Sequence, residues 1–167
     1  MRWKITKYSK CSISSGAWLR QVTSATGIHV RLAGGSLGTI WGGPGRGRPI
    51  VTVYVNPDRY TWEFLKESST FTVEFFPEEY RRALSYLGSR SGRDEDKVTK
   101  AGLTPKELAG GVTFEEAELT FVCHKLYEGE FQREGLSPEI NNGMYAKWNP
   151  HWMFVGEILE TEDCRNE

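Results

Sequence analysis

Four stretches of the chain carry residue types that could do chemistry. In Gly34-Gly35-Ser36-Leu37-Gly38-Thr39, small residues with accessible backbone N–H groups stand beside two hydroxyls. Such a stretch can form a concave anion site, or it can be a plain turn. It is not a P-loop, because no Gly-Lys-Ser/Thr follows, and it does not match the dinucleotide fingerprint. In Asn56-Pro57-Asp58-Arg59-Tyr60-Thr61, an Arg, two hydroxyls and the N–H groups of a helix start converge, which suits a phosphate monoester. The plain alternative is a strand-to-helix turn with a solvated Arg. Ser89-Arg90-Ser91-Gly92-Arg93-Asp94-Glu95-Asp96-Lys97 is a polar loop that is either solvated surface or a cover over an anion. The fourth is His151, which has no second His or carboxylate at metal-ligand spacing. Cys123 and His124 are strand neighbours, so they face opposite ways and form no dyad. No nucleophile elbow is present.

The composition limits what can position these residues. A chain of 167 residues is one domain. Its aromatic content of 13% excludes a disordered chain. No apolar run approaches the roughly 18 residues of a membrane span. Three Cys cannot all pair within the chain and match no zinc pattern, so reduced cytosolic thiols are expected. The net charge of −1 conceals an asymmetry: residues 1–57 hold eight Lys or Arg and no acid, and all 22 acids follow. That polarity raises a nucleic-acid-binding arm or a transit peptide, but the basic residues are scattered. No repeat of 20–50 residues indicates a solenoid.

Strand patterns dominate. Ile50–Val55 is β-branched, and Thr70–Phe76 and Ala117–Tyr127 alternate. Trp152–Leu159 is β-rich, and Ala17–Thr23 is a weaker strand. Gly34–Arg48, Gly88–Gly92 and Gly102–Gly111 read as loops. Three helices are expected. Pro77–Leu87 is stopped by a left-handed Gly88, Tyr60–Glu67 is capped by Asp58, and a short one is opened by a capping box at Thr104–Glu107. Strands flanked irregularly by short helices indicate a mainly β barrel and argue against a doubly wound sheet.

Six blocks then stand out together. They are Gly35–Trp41, Pro49–Val55, Pro57–Phe64, Thr70–Leu84, Leu87–Lys97 and His151–Ile158. In order and spacing they resemble the flavin reductase-like proteins, which are small FMN-binding split β-barrels, over about residues 35–160. The resemblance implies a six-stranded Greek-key split β-barrel, a homodimer, and FMN near the dimer interface, in keeping with the cytoplasmic location expected from the thiols. It places Ser36, Leu37, Gly38 and Thr39 in the loop at the flavin. Arg59, Tyr60 and Thr61 fall at the phosphate end, and Ser91, Gly92 and Lys97 in a loop over the cofactor. His151 falls beside the isoalloxazine and nicotinamide. It also implies an oxidoreductase or electron carrier with NAD(P)H as donor; the scattered basic residues and short apolar runs point to no nucleic-acid or membrane partner. The expected divisions are a divergent segment 1–15, the barrel domain 16–162 and a tail 163–167.

One segment departs from the pattern. Where the family shows Asn-Thr-Met-Thr-x-x-Trp, this chain reads Ile28-His29-Val30-Arg31-Leu32-Ala33-Gly34, and Gly43–Arg48 lengthens the next turn. The segment has diverged or its reading frame has been altered. The rival expectation is therefore a non-catalytic dimeric split-barrel binding protein with a lost or weakened flavin site.

Overall fold

The computed structural model describes residues 20–24, 34–40 and 47–165. Eight strands are described: β1 Arg20–Ser24, β2 Gly34–Ile40, β3 Arg48–Val55, β4 Thr70–Phe75, β5 Pro105–Leu108, β6 Gly111–Phe114, β7 Leu119–Glu130 and β8 Trp152–Asp163. Four short helices accompany them: α1 Tyr60–Glu67, α2 Arg81–Ser89, α3 Lys97–Ala101 and α4 Pro138–Asn142. Six strands form one antiparallel sheet in the order β1-β4-β7-β8-β3-β2, and β5 and β6 form a separate hairpin. The mainly β architecture expected from the strand patterns is present. Among the described residues, no helix is long and apolar enough to cross a membrane.

The alternating positions of the central strands explain the core. Phe71 and Val73 of β4 and Leu119, Phe121 and Cys123 of β7 turn to one side. There they pack with Val51, Val53 and Val55 of β3, with Leu65 of α1 and with Phe154 of β8. The reverse face of β4 and β7 is buried as well, because the β5–β6 hairpin lies against it. The Thr72 hydroxyl donates to the Val112 carbonyl at 2.6 Å, and the Thr113 and Thr120 hydroxyls meet at 2.7 Å. Those bonds satisfy polar groups that burial would otherwise strand. A second cluster, Phe76, Leu84, Leu87, Val98, Leu103 and Phe114, ties α2 and α3 to the hairpin.

Several sequence expectations are corrected. Pro105–Leu108 is a strand, not a helix. Ala109 and Gly110 both take positive φ, the geometry of a two-residue hairpin, and the carboxylate that receives Thr104 N–H belongs to Glu116. Gly34–Ile40, at the head of the expected Gly34–Arg48 loop, is edge strand β2 in register with β3. Asp58 does not cap α1. The cap position is Arg59, while Asp58 N–H bonds Asn56 Oδ1 and its carboxylate accepts from Asn149. Helix α2 runs through Gly88 to Ser89, and the left-handed stop occurs at Gly102 after α3. Helix α3 occupies the end of the stretch read as a polar loop. Asp96 caps it by accepting from Thr99 N–H. Of the weak strand at 17–23, residues 17–19 lie outside the described residues, as do segments 1–15 and 28–33. Strand β8 runs into the expected tail as far as Asp163.

Candidate functional site

The turn from β3 into α1 and the loop from α2 into α3 face each other across a cleft of about 400 Å³. From the turn come Arg59, Tyr60 and Thr61; from the loop come Ser91, Gly92 and Lys97. The structure therefore brings together six of the expected residues from two segments about thirty positions apart. Thr61 is buried in the first turn of α1, whose first N–H groups have no partner within the helix. Arg59 is exposed on the cleft wall and makes no ion pair among the described residues.

The loop adds two cations that the sequence-based site omitted. The Arg93 guanidinium lies 4.6 Å from the Tyr60 ring centre and pairs with Glu63. Arg90 lies 6.0 Å from the Tyr86 ring centre, with Glu95 at 3.9 Å. The Ser91 hydroxyl accepts from Arg93 N–H, which fixes the turn. Glu95 is held below the usual carboxylate range, first by its bond from Lys100 and then by that from Tyr86. The Asp58 and Asp94 carboxylates also border the cleft, so its cations are partly balanced.

Lys97 lines the cleft, but its ammonium has other partners. Nζ donates to the carbonyls of Leu87 at 2.9 Å and Arg90 at 3.2 Å, and the residue is buried. These carbonyls belong to the last turn of α2 and the residue after it, where oxygens lack helical donors. Lys97 thus closes the end of α2 and sets the loop above the cleft.

His151 borders a second, smaller cavity of about 200 Å³, together with Asn56, Asp58, Arg59 and Trp148. Asp58 and Arg59 line both cavities, so they form the ridge between them. The His151 Nδ1 is 2.9 Å from the Tyr145 hydroxyl. Tyr145 and Trp148 belong to no block singled out in the sequence. Their only signal was aromatic character shortly before His151.

Ser36–Thr39 lies on β2, where Ser36 is opposite Thr52 and Thr39 opposite Pro49. Leu37 packs against the barrel core, and neither Leu37 nor Gly38 is among the described residues lining the two cavities. Cys123 and His124 diverge as expected. Cys123 is fully buried, with its thiol pushed up by burial and then by Glu74, while His124 is exposed. Among the described residues there is no cluster that could hold a metal.

The donor set of the larger cleft fits a phosphate monoester. Arg59, Arg90 and Arg93 supply charge, Thr61 and Ser91 supply hydroxyls, and the start of α1 supplies backbone donors. The cleft follows the third strand of a six-stranded antiparallel sheet. The model of the flavin reductase-like domain matches residues 48–167, and the chain belongs to that family. The match begins at β3, so Ser36–Thr39 and the divergent Ile28–Gly34 precede it.

Solved structures share the fold. Flavoredoxin from Methanosarcina acetivorans is 21% identical with a TM-score of 0.63, over 87% of this chain and 66% of that one. An FMN-binding protein from Thermus thermophilus is 20% identical with a TM-score of 0.64, over 89% of this chain and 70% of that one. A structure with a split barrel domain from Shewanella frigidimarina is 16% identical with a TM-score of 0.65, over 99% of this chain and 76% of that one. The chain thus spans about two thirds to three quarters of the length of these three. No curated protein matches.

Proposed function

We propose that this chain binds FMN and works as a flavin reductase-like oxidoreductase with NAD(P)H as electron donor. The observation that carries the reading is the convergence of Arg59, Thr61 and the Ser89–Arg93 loop on one cleft. Family membership and the FMN-binding Thermus protein support it. FMN would supply the hydride and electron chemistry. Arg59, which makes no ion pair among the described residues, would neutralise the phosphate. Thr61 and Ser91 would donate hydroxyl hydrogen bonds, and Lys97 would keep the loop in place. His151, across the Asp58–Arg59 ridge, would border the donor's ring. We further propose a cytoplasmic homodimer. Sedimentation showing only a 19.0 kDa species at micromolar concentration would count against it.

The rival, a binding protein with a weakened flavin site, draws on the missing motif at Ile28–Gly34. Anaerobic mixing of the FMN-loaded protein with NADH or NADPH separates the two. Bleaching of the flavin band faster than for free FMN supports the oxidoreductase. A loaded protein that does not bleach with either donor contradicts it, and a protein that takes up no flavin favours the rival.

A further inference from the structure

The hydroxyl of Tyr145 sits 2.9 Å from Nδ1 of His151, and the two ring centres are 5.8 Å apart. Tyr145 is only 6% exposed, on the 3-10 turn Met144–Ala146. His151 Nδ1 is its hydroxyl's hydrogen-bond partner among the described residues. A buried phenol O–H without an acceptor is costly, and an imidazole nitrogen can accept only when it carries no proton.

We infer that Tyr145 is a positioning residue that holds neutral His151 in the tautomer protonated at Nε2. The phenol donates to Nδ1, so the ring's proton resides on the other nitrogen. Through Nε2, His151 then acts as a hydrogen-bond donor and not as a base. That suits an oxygen acceptor such as the carboxamide carbonyl of a nicotinamide. This last step rests on the proposed flavin reading; the tautomer does not.

Independent anchors hold the pair. Arg133 donates from Nη1 to the Tyr145 carbonyl at 3.0 Å and to Asn141 Oδ1 at 2.8 Å, and from Nη2 to the Trp148 carbonyl at 3.1 Å. On the other side, Asn56 Nδ2 donates to the Asn149 carbonyl at 3.1 Å, and Asn149 Nδ2 donates to Asp58 Oδ1 at 3.0 Å. The His151 carbonyl accepts from Phe131 N–H at 3.1 Å. The backbone on either side of the pair is therefore pinned, at Tyr145 and Trp148 by Arg133 and at Asn149 to the ridge that lines both cavities.

The test is long-range proton–nitrogen NMR of the imidazole-labelled protein without added flavin, at about pH 8, above the usual imidazole range. The expected wild-type signature is a bare Nδ1 and a protonated Nε2 at His151. In Tyr145→Phe, which removes one oxygen and keeps the ring, a mixture of tautomers is expected. Reduction of bound FMN should then slow by roughly threefold to tenfold, the worth of one ordinary hydrogen bond. A wild-type His151 protonated at Nδ1 overturns the inference without need of any variant. So does a Tyr145→Phe protein whose tautomer is unchanged. A shifted tautomer with an unchanged reduction rate upholds the positioning role and counts against His151 in the flavin reaction.

Discussion

The ammonium of Lys97 lies 2.9 Å from the carbonyl oxygen of Leu87, ten residues earlier in the chain. With Arg90 as a second acceptor at 3.2 Å, it joins the start of α3 to the end of α2. A residue that the family resemblance places over the cofactor is thus engaged in holding the loop that covers the cleft.

Lys97→Gln should therefore destabilise the fold. Loss of charge-assisted bonds from a buried site costs about 1–3 kcal/mol, which lowers the melting temperature by several degrees in a protein of this size. The affinities for FMN and riboflavin should fall together as the loop loosens. An unchanged melt with a loss confined to FMN would mean that Lys97 contacts phosphate instead.

Glu128 gives a pH dependence. Burial acts to raise its pKa, but bonds from Lys125 at 2.8 Å and from Lys66 outweigh that and hold it below the usual carboxylate range. Lys125 also donates to the carbonyls of Leu65 and Lys66 at the end of α1, so the pairing links that helix to β7. A depressed pKa in the folded state contributes stability above the unfolded value of about 4.3 and loses it as pH falls through the folded value. In urea titrations, Glu128→Gln should be less stable than the wild type at neutral pH, with the gap closing in acid below about pH 4. A gap that is constant or widens in acid would contradict this sign.

The strands were legible because their burial alternates or is continuous. Phe71, Val73, Leu119 and Phe121 could be placed by periodicity alone. Thr104–Glu107 misled because its capping-box pattern is local, whereas the hairpin is decided by Ala109 and Gly110 and by Glu116 twelve residues away. Gly156 shows what a motif conceals. A Cβ there would stand 2.6 Å from Phe71 Cζ and 2.8 Å from Cys123 Cβ, so the glycine makes room for the core. The larger cleft was legible because Asn56–Thr61 and Ser89–Lys97 each carry a polar cluster. Tyr145, Trp148 and Arg133 were not, since their roles come from packing that no local motif encodes.

His151→Ala should slow reduction of bound FMN by NAD(P)H far more than it lowers FMN affinity. A positioned donor or acid is worth about 10²–10³-fold in rate. Stopped-flow reduction at saturating FMN reads the effect, and an unchanged rate would return His151 to a structural role with Tyr145.

The central claim is that the Arg59 cleft holds the phosphate of FMN. Fluorescence-quenching titrations of FMN and riboflavin into the wild type and Arg59→Ala test it most directly. The wild type should bind FMN more tightly than riboflavin. Arg59→Ala should lose about tenfold to a hundredfold in FMN affinity, the worth of a charge-assisted bond, with riboflavin nearly unaffected. Equal losses for the two ligands, or a wild type that does not distinguish them, would contradict the account.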